Sequence, residues 1–466
     1  MINEEINQNF AEFKKIMQGE LKENFEKYLK ALNEKPVRGL RINTKKISVK
    51  DFLAKTDLSL TPLKFSDDCF ILNSDEKLGG SVGHLAGLIY LQEPSSMIAV
   101  ASSGIEKENR PLKVLDLCAS PGGKTGQIVT KLTDESLIFS NEIIGSRAGV
   151  LFSNVERQGF KNVIVLNEEP KNLLDFEGFF DYVFVDAPCS GEGMFRKNPE
   201  TINEWSEKNV VLCANRQREI LKIADKLLSD DGKLVYSTCT FSKQEDEEIV
   251  EFLVNNLNYK LEDVPSEIKN LTLPSLANVK NADFARKFYP FTGEGEGQFV
   301  AVFSKNEYEN ACSMHKKKHF NCLNKIGGSH FKLLCEFMEK NLNVSYSKNQ
   351  VFELGETLFL APSSFDEKMQ TALDDKKILT IGVKLGSIEK DRFEPNHSIF
   401  MANYDDFKHK VEISDEDLKK YLHGEELKMD LNFNGYAVVT KNGLAIGGVK
   451  VTAGKLKNLY PRGLRI

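Results

Sequence analysis

The sequence lacks the features of secreted and membrane proteins. Its first ten residues have neither the basic start nor the apolar stretch of a signal peptide, and no run approaches the roughly 18 apolar residues needed to cross a bilayer. The eight cysteines include no C-x-x-C pair and no closely spaced framework of the kind found in small disulfide-bonded domains. These absences predict a cytoplasmic protein with reduced thiols and no membrane partner.

An excess of positive charge is also missing, since the formal net charge is −6. Taken alone, this total argues against nucleic-acid binding. However, the segment from Leu431 to the C-terminus carries six Lys or Arg residues and no acid. Salt screens charges beyond about 8 Å at physiological ionic strength, so a local basic surface can hold phosphates whatever the distant charges do. A solvated charged face is an equally good interpretation of this segment by itself.

The length of 466 residues predicts two or three domains. Apolar residues recur at helical spacing over Ile2–Asn33, which indicates amphipathic packing helices. Val37–Asn43 alternates like a strand that displays Arg38 and Arg41. After Ser304 the chain becomes lysine-rich, as in a linker. We therefore expect an N-terminal α/β extension (1–104), a catalytic domain (105–306), a linker (307–330) and a C-terminal region (331–466) ending in a small β domain.

Short apolar runs alternate with helical stretches from Leu112 onward. Strands that alternate with helices predict βαβ units and a doubly wound α/β fold with a parallel-rich sheet. Such sheets bind ligands beyond the carboxyl ends of their strands. The predicted strands are Leu112–Leu117, Leu137–Glu142, Val163–Leu166, Tyr182–Asp186, Lys233–Thr238 and Phe299–Phe303, and the predicted helices are Lys124–Leu132, Ser146–Gln158, Lys208–Leu228 and Lys243–Leu257.

A glycine-containing turn joins the first of these strands to a helix. Glycines at such a turn let a ligand approach the backbone, and the helix N-terminus favours polar or anionic groups. A nucleotide-binding P-loop would need glycine where Cys118 stands, and a strict G-x-G-x-x-G for NAD is absent. The candidate ligand-binding residues here are Cys118, Ala119, Ser120, Pro121, Gly122, Gly123 and Lys124.

Three successive strands end at an acid: Glu142, Glu168 and Asp186. A single acid at a strand end is more often a solvated loop residue. Repetition over three strands makes coincidence less plausible, and a carboxylate at the end of the second strand is placed to hold ribose hydroxyls. We expect all three to face a nucleoside-containing cofactor.

Two cysteines follow strands of the same sheet. Cys189 lies in a Pro-Cys-Ser-Gly loop after Asp186, and Cys239 follows the next strand. Ser242 and Glu245 have the spacing of a capping box, so we predict that a helix starts just past Cys239. A thiolate is favoured near a helix N-terminus, which suits a nucleophile. The alternative for Cys189 is that it is a small buried hydrophobe.

The spacing C-x2-H-x3-H-x2-C of Cys312, His315, His319 and Cys322 resembles a metal site. On one helix the outer pair would lie about 15 Å apart. Zinc needs its ligands within roughly 2.3 Å of one ion, and the intervening sequence offers no break in the helix. We predict no metal.

The motifs DLCASPGGKT, VFVDAPCSGEGMFR and LVYSTCTFSKQEDEEIV resemble those of the NOL/NOP/Sun family of RNA 5-methylcytosine methyltransferases. The C-terminal half resembles the bacterial RsmF-type branch through Asp391–Pro395 and the ending NLYPRGLR. The resemblance covers nearly the whole chain. It implies a Rossmann-type catalytic domain that binds S-adenosylmethionine (SAM) and a PUA-like C-terminal RNA-binding domain.

The resemblance also implies roles for individual residues. Cys118 to Lys124, Glu142, Glu168 and Asp186 would surround SAM, although the family commonly has Asp where Glu168 stands. Cys239 would be the nucleophile, Cys189 would assist product release, and Asp186 would stabilise the activated base. The implied substrate is 16S ribosomal RNA, free or in the assembled small subunit, and nothing in the sequence demands more than a monomer.

RNA contacts are expected from basic side chains, because phosphates dominate affinity for nucleic acids. Two other functions stay open: the same chemistry on tRNA, and a non-catalytic RNA-binding factor for ribosome assembly. The intact cysteines and acids argue against the second. The candidate RNA-binding residues are Arg38, Arg41, Arg196, Lys197, Arg286, Lys455, Lys457 and Arg462.

Overall fold

The N-terminal region combines amphipathic helices with a small antiparallel sheet. The computed structural model describes residues 8–293, 295–306 and 322–465. The first elements are α1 (Gln8–Leu21), α2 (Phe25–Leu32), β1 (Gly39–Ile42), α3 (Val49–Lys55), β2 (Leu60–Pro62), β3 (Cys69–Leu72), α4 (Val82–Leu85), β4 (Ile89–Leu91) and α5 (Ile98–Ser102). The strand order is β2-β3-β1-β4. Phe13 of α1 and Tyr28 of α2 share one hydrophobic cluster with Phe195 and Trp205, which joins the two predicted packing helices to the next region.

The central region is a large sheet with helices on both faces. Its elements are β5 (Lys113–Asp116), α6 (Gly123–Lys131), β6 (Leu137–Asn141), α7 (Gly145–Gln158), β7 (Val163–Leu166), β8 (Phe180–Asp186), α8 (Glu207–Leu227), β9 (Leu228–Thr238), α9 (Glu247–Asn256), β10 (Tyr259–Glu262), α10 (Ser266–Lys269), β11 (Leu273–Pro274), β12 (Arg286–Phe288) and β13 (Gln298–Lys305). Strands β7-β6-β5-β8-β9 run parallel, and β13 adds antiparallel to β9. The predicted doubly wound, parallel-rich sheet is confirmed.

The sheet has its topological switch point between β5 and β8. From β5 the chain adds β6 and β7 on one side, and then returns to add β8 and β9 on the other. The strands are buried on both faces, as their continuous apolar runs require: Leu115 and Val183 point into one hydrophobic cluster, while Val114 and Phe184 point into another. The carboxyl ends of β5, β6, β8 and β9 therefore meet at one edge, where the fold places its ligand.

The C-terminal region contains two five-stranded sheets. Its elements are β14 (Leu323–Lys325), α11 (Gly328–Asn341), β15 (Val351–Leu354), β16 (Thr357–Leu360), α12 (Glu367–Leu373), β17 (Ile378–Ile381), β18 (Val383–Glu389), β19 (Arg392–Pro395), α13 (His397–Ala402), β20 (Lys410–Glu412), α14 (Asp415–His423), β21 (Leu427–Lys428), β22 (Gly435–Lys441), β23 (Leu444–Thr452) and β24 (Lys455–Asn458). The sheet orders are β14-β15-β16-β18-β19 and β20-β22-β23-β24-β21. No helix in the described parts of the chain has the length and apolarity that crossing a membrane would require.

Part of the segment predicted as a linker has regular structure. Residues 323–325 form β14, and α11 begins at Gly328. The reason is that Leu323 and Ile326 are buried in hydrophobic clusters, which outweighs the lysine-rich composition before them. Residues 307–321 of the predicted linker lie outside the described residues.

One strand of the C-terminal region joins the central sheet, which the sequence analysis did not anticipate. Strand β17 pairs antiparallel with β7, with Ile378 opposite Leu166 and Ile381 opposite Ile164. The backbone N–H of Asn167 extends this pairing by donating to the carbonyl of Lys377 at 3.0 Å. An open apolar edge at β7 would favour aggregation, and β17 covers this edge, which the central region alone would expose.

Three arginines that were predicted to face RNA are buried, so that prediction is wrong for Arg41, Arg196 and Arg286. All four residues of β1 are buried, because this strand is central in its sheet, and Arg41 is therefore not displayed. The guanidinium groups are hydrogen-bonded inside the protein instead of meeting phosphates. Arg41 bonds Gln158 and Thr130, Arg196 bonds Glu296 and the carbonyls of Gly295 and Ala31, and Arg286 bonds Thr272 and the carbonyl of Lys269.

The buried Arg196–Glu296 pair yields a stability prediction. Their nearest nitrogen and oxygen lie 2.7 Å apart, and the two side chains are 3% and 1% exposed. Arg196→Met should lower the free energy of unfolding by about 3–5 kcal/mol, because it leaves the Glu296 carboxylate buried without a countercharge. Urea unfolding followed by circular dichroism measures the change.

Two further variants make this test specific. Arg196→Met combined with Glu296→Leu should recover much of the lost stability, since no uncompensated charge is left. Lys35→Ala removes the exposed pair between Lys35 and Asp75, and should have little effect. An Arg196→Met protein as stable as the wild type would show that Glu296 does not depend on this partner.

Candidate active site

The turn after β5 is held at the start of α6. Gly122 has a φ of +106°, a conformation that disfavours any side chain, and α6 begins at the next residue. Buried Asp116 accepts a hydrogen bond from Thr125 at 2.7 Å. Burial raises the pKa of Asp116 to about 7, while the bond from Thr125 and the charge of Lys124 act in the opposite direction. Burial also raises the pKa of the Cys118 thiol.

Asp186, at the end of β8, is surrounded by three donors. Its Oδ2 lies 2.8 Å from Nζ of Lys124, while its Oδ1 accepts hydrogen bonds from Ser237 at 2.7 Å and from Gln298 at 3.2 Å. Burial by itself would lower the pKa of Lys124, but the Asp186 carboxylate outweighs it and raises that pKa. The electrostatic interaction of Lys124 with Cys239 changes the pKa of Lys124 in the same direction as Asp186. The turn after β5 and the end of β8 are thus joined by an ion pair in which Lys124 is buried and the Asp186 side chain is 34% exposed.

The two predicted catalytic cysteines are in contact. Sγ of Cys189 and Sγ of Cys239 lie 3.3 Å apart, although 50 residues separate them in the sequence. The hydrogen bond with Cys239, together with burial, raises the pKa of Cys189 well above its ordinary value. Cys189 therefore keeps its proton at neutral pH, and the two sulfur atoms share one hydrogen bond.

The loops that carry the two cysteines are tied together beside the sulfur atoms. The backbone N–H of Gly193 donates to the carbonyl of Cys239 at 2.8 Å, and the hydroxyls of Ser190 and Thr240 are 2.8 Å apart. A Cβ at position 193 would lie 2.9 Å from the carbonyl oxygen of Cys239, so only glycine allows this approach. Glu192 completes the link by accepting the backbone N–H of Phe241 at 3.0 Å.

The predicted capping box next to Cys239 is wrong. Helix α9 begins at Glu247 rather than at Lys243, eight residues beyond the thiol. Ser242 donates to Gln244, while the Glu245 carboxylate turns inward and accepts the backbone N–H of Ser190. The bond to a neighbouring loop replaces the local cap because Glu245 is completely buried there.

The other two strand-end acids differ from each other. Glu142 is buried at the ligand edge, where its carboxylate accepts the N–H of Ile144 at 2.9 Å and lies 3.4 Å from Arg147. Glu168 accepts hydrogen bonds on both oxygens, from Asn172 at 2.7 Å and from the backbone N–H of Lys377 at 2.7 Å. Glu168 thus joins the central sheet to the segment that precedes β17, a role the sequence analysis did not anticipate.

Five of the predicted RNA-binding residues are not buried. Lys455 and Lys457 project from the same face of β24 and are exposed, as are Lys197 and Arg462. Arg38 is half-buried, because its guanidinium donates to the carbonyls of Ser74 and Glu76. These residues stay predictions.

Sequence reasoning missed the residues that support the reactive groups. Ser237 and Gln298 hold Asp186, and Glu192 and Glu245 hold the cysteine loops. Glu245 was interpreted only as part of a capping box, although its place in the run of acids 245–248, six residues after a predicted catalytic thiol, was a signal of a further role. For the metal-like spacing, Cys312, His315 and His319 lie outside the described residues, and Cys322 is exposed.

Four family sequence models match consecutive parts of the chain. They are the 16S rRNA methyltransferase RsmB/F model over residues 105–304, the N-terminal domain of RsmF over 10–94, the first C-terminal domain of RsmF over 336–402 and the RsmF PUA domain over 408–466. The ribosomal RNA small subunit methyltransferase F of Psychromonas ingrahamii is 30% identical, with 93% of this chain and 92% of that protein covered. The chain belongs to the RsmB/F family.

Other members and solved structures agree with this placement in the RsmB/F family. The ribosomal RNA small subunit methyltransferase F of Shewanella piezotolerans is 28% identical, with 93% of this chain and 92% of that protein covered. The structure of a methyltransferase homolog protein from Pyrococcus horikoshii is 27% identical, with a TM-score of 0.54 and coverage of 61% of this chain and 91% of that one. NSun6 from the same organism, at 21% identity, has a similar fold, with a TM-score of 0.55 and coverage of 64% of this chain and 98% of that one. The resemblance to the Sun family and its RsmF branch, the Rossmann-type fold and the PUA domain are confirmed.

The contact between the two thiols in this RsmB/F family member can be tested without any substrate. Treatment with hydrogen peroxide should convert one thiol to a sulfenic acid with release of water, and the second thiol should then displace water to form a Cys189–Cys239 disulfide. The sulfur atoms need to approach by only about 1.3 Å, because a disulfide bond is about 2.05 Å long.

Peptide mapping by mass spectrometry under non-reducing conditions detects this disulfide. Cys213→Ser serves as the control, since Cys213 lies on α8 and its removal should leave the cross-link intact. In the Cys189→Ser variant the reaction should stop at oxidised Cys239, because the thiol that would form the disulfide is absent. Random pairing among all cysteines, or none between these two, would contradict the observed contact.

Proposed function

We propose that this protein methylates carbon 5 of a cytosine in 16S ribosomal RNA, with SAM as the methyl donor. The observation that carries the proposal is the pair of thiols 3.3 Å apart beside the Lys124–Asp186 ion pair. Oxygen and nitrogen atoms of RNA bases accept a methyl group without covalent help. Carbon 5 of cytosine does not, so a nucleophile must first add to the ring and must later be removed. Two thiols in contact suit these two tasks.

The residues at the ligand edge fit SAM. The first N–H groups of α6 suit the carboxylate of its amino-acid part, and Glu142 suits its ribose hydroxyls. Oδ1 of Asp116 is a buried acceptor without a hydrogen-bond partner in the described chain, as expected where a ligand supplies the donor. NSun6 of Pyrococcus horikoshii was solved with SFG, a SAM analogue, which supports the same cofactor. When bound, SAM supplies an electrophilic methyl group.

Cys239 and Asp186 would activate the base. Addition of the Cys239 sulfur to carbon 6 forms an S–C bond and makes carbon 5 nucleophilic. Asp186, held by Lys124 and Ser237, would accept a hydrogen bond from the amino group at the polar edge of the cytosine ring and so hold the activated base in place. The target base must be unpaired or flipped out to meet these groups, since a stacked base is not accessible from this face.

Cys189 would act at the release step. After methylation the proton on carbon 5 leaves to a base and the bond between Cys239 and carbon 6 breaks, which restores the aromatic ring. Because Cys189 keeps its proton in the free protein, its S–H can donate to the departing sulfur of Cys239. The same thiol can orient the water that receives the carbon-5 proton.

Ribosomal RNA as the substrate is supported by the relatives and by the charge distribution. The similar proteins of Psychromonas and Shewanella bear the name ribosomal RNA small subunit methyltransferase F. In this chain the region that matches the PUA domain presents Lys455, Lys457 and Arg462 to solvent, where they can reach phosphates.

Methyl transfer to RNA tests the proposal. Labelled SAM is supplied with unmodified 16S rRNA, both free and in assembled small subunits, and the product nucleoside is analysed for 5-methylcytidine. Cys239→Ala should lower turnover at least about a thousandfold, because it removes the nucleophile. Cys189→Ala should slow turnover by roughly 100-fold or more and leave a protein–RNA adduct visible on a denaturing gel. Cys213→Ala, on α8, should behave like the wild type.

The possible outcomes separate the alternatives. Transfer to tRNA but not to 16S rRNA would keep the chemistry and change the substrate. A methylated product other than 5-methylcytidine, or full activity in Cys239→Ala, would rule out the thiol mechanism. No transfer to any RNA by the wild-type protein would favour the non-catalytic assembly factor.

A further inference from the structure

Glu245 is fully buried in the turn between β9 and α9. Its carboxylate accepts hydrogen bonds from the backbone N–H of Ser190 at 3.1 Å and from Nε2 of Gln217 at 2.8 Å. Its carbonyl oxygen accepts the hydroxyl of Tyr236 at 2.7 Å. None of these three bonds caps α9. The carboxylate instead contacts α8 through Gln217 and the loop that contains Ser190.

The groups that Glu245 and Gln217 hold lie on either side of Cys189. Nε2 of Gln217 also donates to the carbonyl of Pro188 at 3.0 Å, while Glu245 binds the N–H of Ser190. A loop fixed at both neighbours of Cys189 leaves this side chain little freedom. These hydrogen bonds of Glu245 and Gln217, here called the clamp, therefore keep the Cys189 sulfur 3.3 Å from that of Cys239.

Glu245 also affects the proton of the thiol that it holds. The hydrogen bond with Cys239 and burial raise the pKa of Cys189, and the negative charge of Glu245 adds to this rise. Burial raises the pKa of Glu245 itself to about 7, against the lowering effect of the bonds from Ser190 and Gln217. Glu245 therefore affects both the position of the Cys189 sulfur and the pKa of the Cys189 thiol.

We propose that Glu245 is a positioning residue for Cys189, which holds the Cys189 loop so that the thiol faces the sulfur of Cys239 during product release. This role of Glu245 rests on the proposed function, because product release by Cys189 is needed only if Cys239 forms a covalent adduct with RNA. Cys239 follows β9, whose place in the sheet does not depend on the Glu245 carboxylate. The effect of Glu245 therefore falls on release and not on adduct formation.

The first test follows both steps with RNA. Glu245→Ala should form the RNA adduct at nearly the wild-type rate and resolve it about ten- to a hundredfold more slowly, so that the adduct accumulates as in Cys189→Ala. Glu245→Gln should resolve the adduct almost normally, because its amide oxygen still accepts the N–H of Ser190. The matched control is Glu248→Ala, which removes a more exposed acid from α9.

The second test needs no RNA. The rate at which hydrogen peroxide forms the Cys189–Cys239 disulfide reports directly on the contact between the two sulfur atoms. Glu245→Ala should slow this cross-link several-fold, while Glu245→Gln and Glu248→Ala should not. Gln217→Ala, which loosens the clamp at Pro188, should have an effect in the same direction and replaces Glu245→Ala if that variant does not fold.

The two tests separate the failure of this proposal from the failure of the proposed function. If Cys189→Ala accumulates no adduct, the thiol mechanism fails, and the cross-linking rates still decide whether Glu245 positions Cys189. An unchanged cross-linking rate in folded Glu245→Ala would overturn the proposal. Equal losses of adduct formation and release would also overturn it, because they would indicate a merely structural residue.

Discussion

The candidate site depends on the parallel pairing of β8 with β9. Parallel neighbours end at the same edge of a sheet. Cys189, after Asp186, and Cys239, after Thr238, therefore meet in space although 50 residues separate them in the sequence. The switch point between β5 and β8 brings the turn of α6 to the same edge, where Lys124 reaches Asp186. Every reactive group of the proposed site follows a strand of this sheet. The rigidity of the sheet therefore limits how far these groups can move apart.

Buried carboxylates maintain this edge, and each is bonded to a loop and not left to solvent. Glu192 accepts from the indole of Trp205 and from the backbone of Phe241, and thereby joins one cysteine loop to the packing of the N-terminal helices. Glu245 does the same between α8 and the Cys189 loop. Burying a carboxylate is costly unless hydrogen bonds replace its hydration. Separation of the two cysteine loops would break several of these hydrogen bonds at once and would leave the buried carboxylates without partners.

Sequence patterns predicted the parts of the fold that depend on local periodicity and missed those that depend on distant partners. Six strands of the central sheet were located to within about five residues because apolar runs mark them, while the short strands β10, β11 and β12 were not predicted. The glycine turn and both cysteines followed from their positions after strands. Arg41 and Arg196 were misjudged because burial of an arginine depends on a remote acceptor, such as Glu296, that sequence order does not reveal. For the same reason β17 was not assigned to the sheet, and Glu245 was interpreted as a local cap.

Two chemically identical side chains can take opposite parts in one reaction only if their surroundings differ. Cys189 lies in a closed loop near the negative charge of Glu245, and it retains its proton. Cys239 follows β9 and lies close enough to the ammonium of Lys124 to interact with it electrostatically. The first environment disfavours a thiolate, whereas the second places the sulfur of Cys239 near a cation. In the proposed mechanism the thiol with the raised pKa, Cys189, serves the release step, in which a group that keeps its proton is needed.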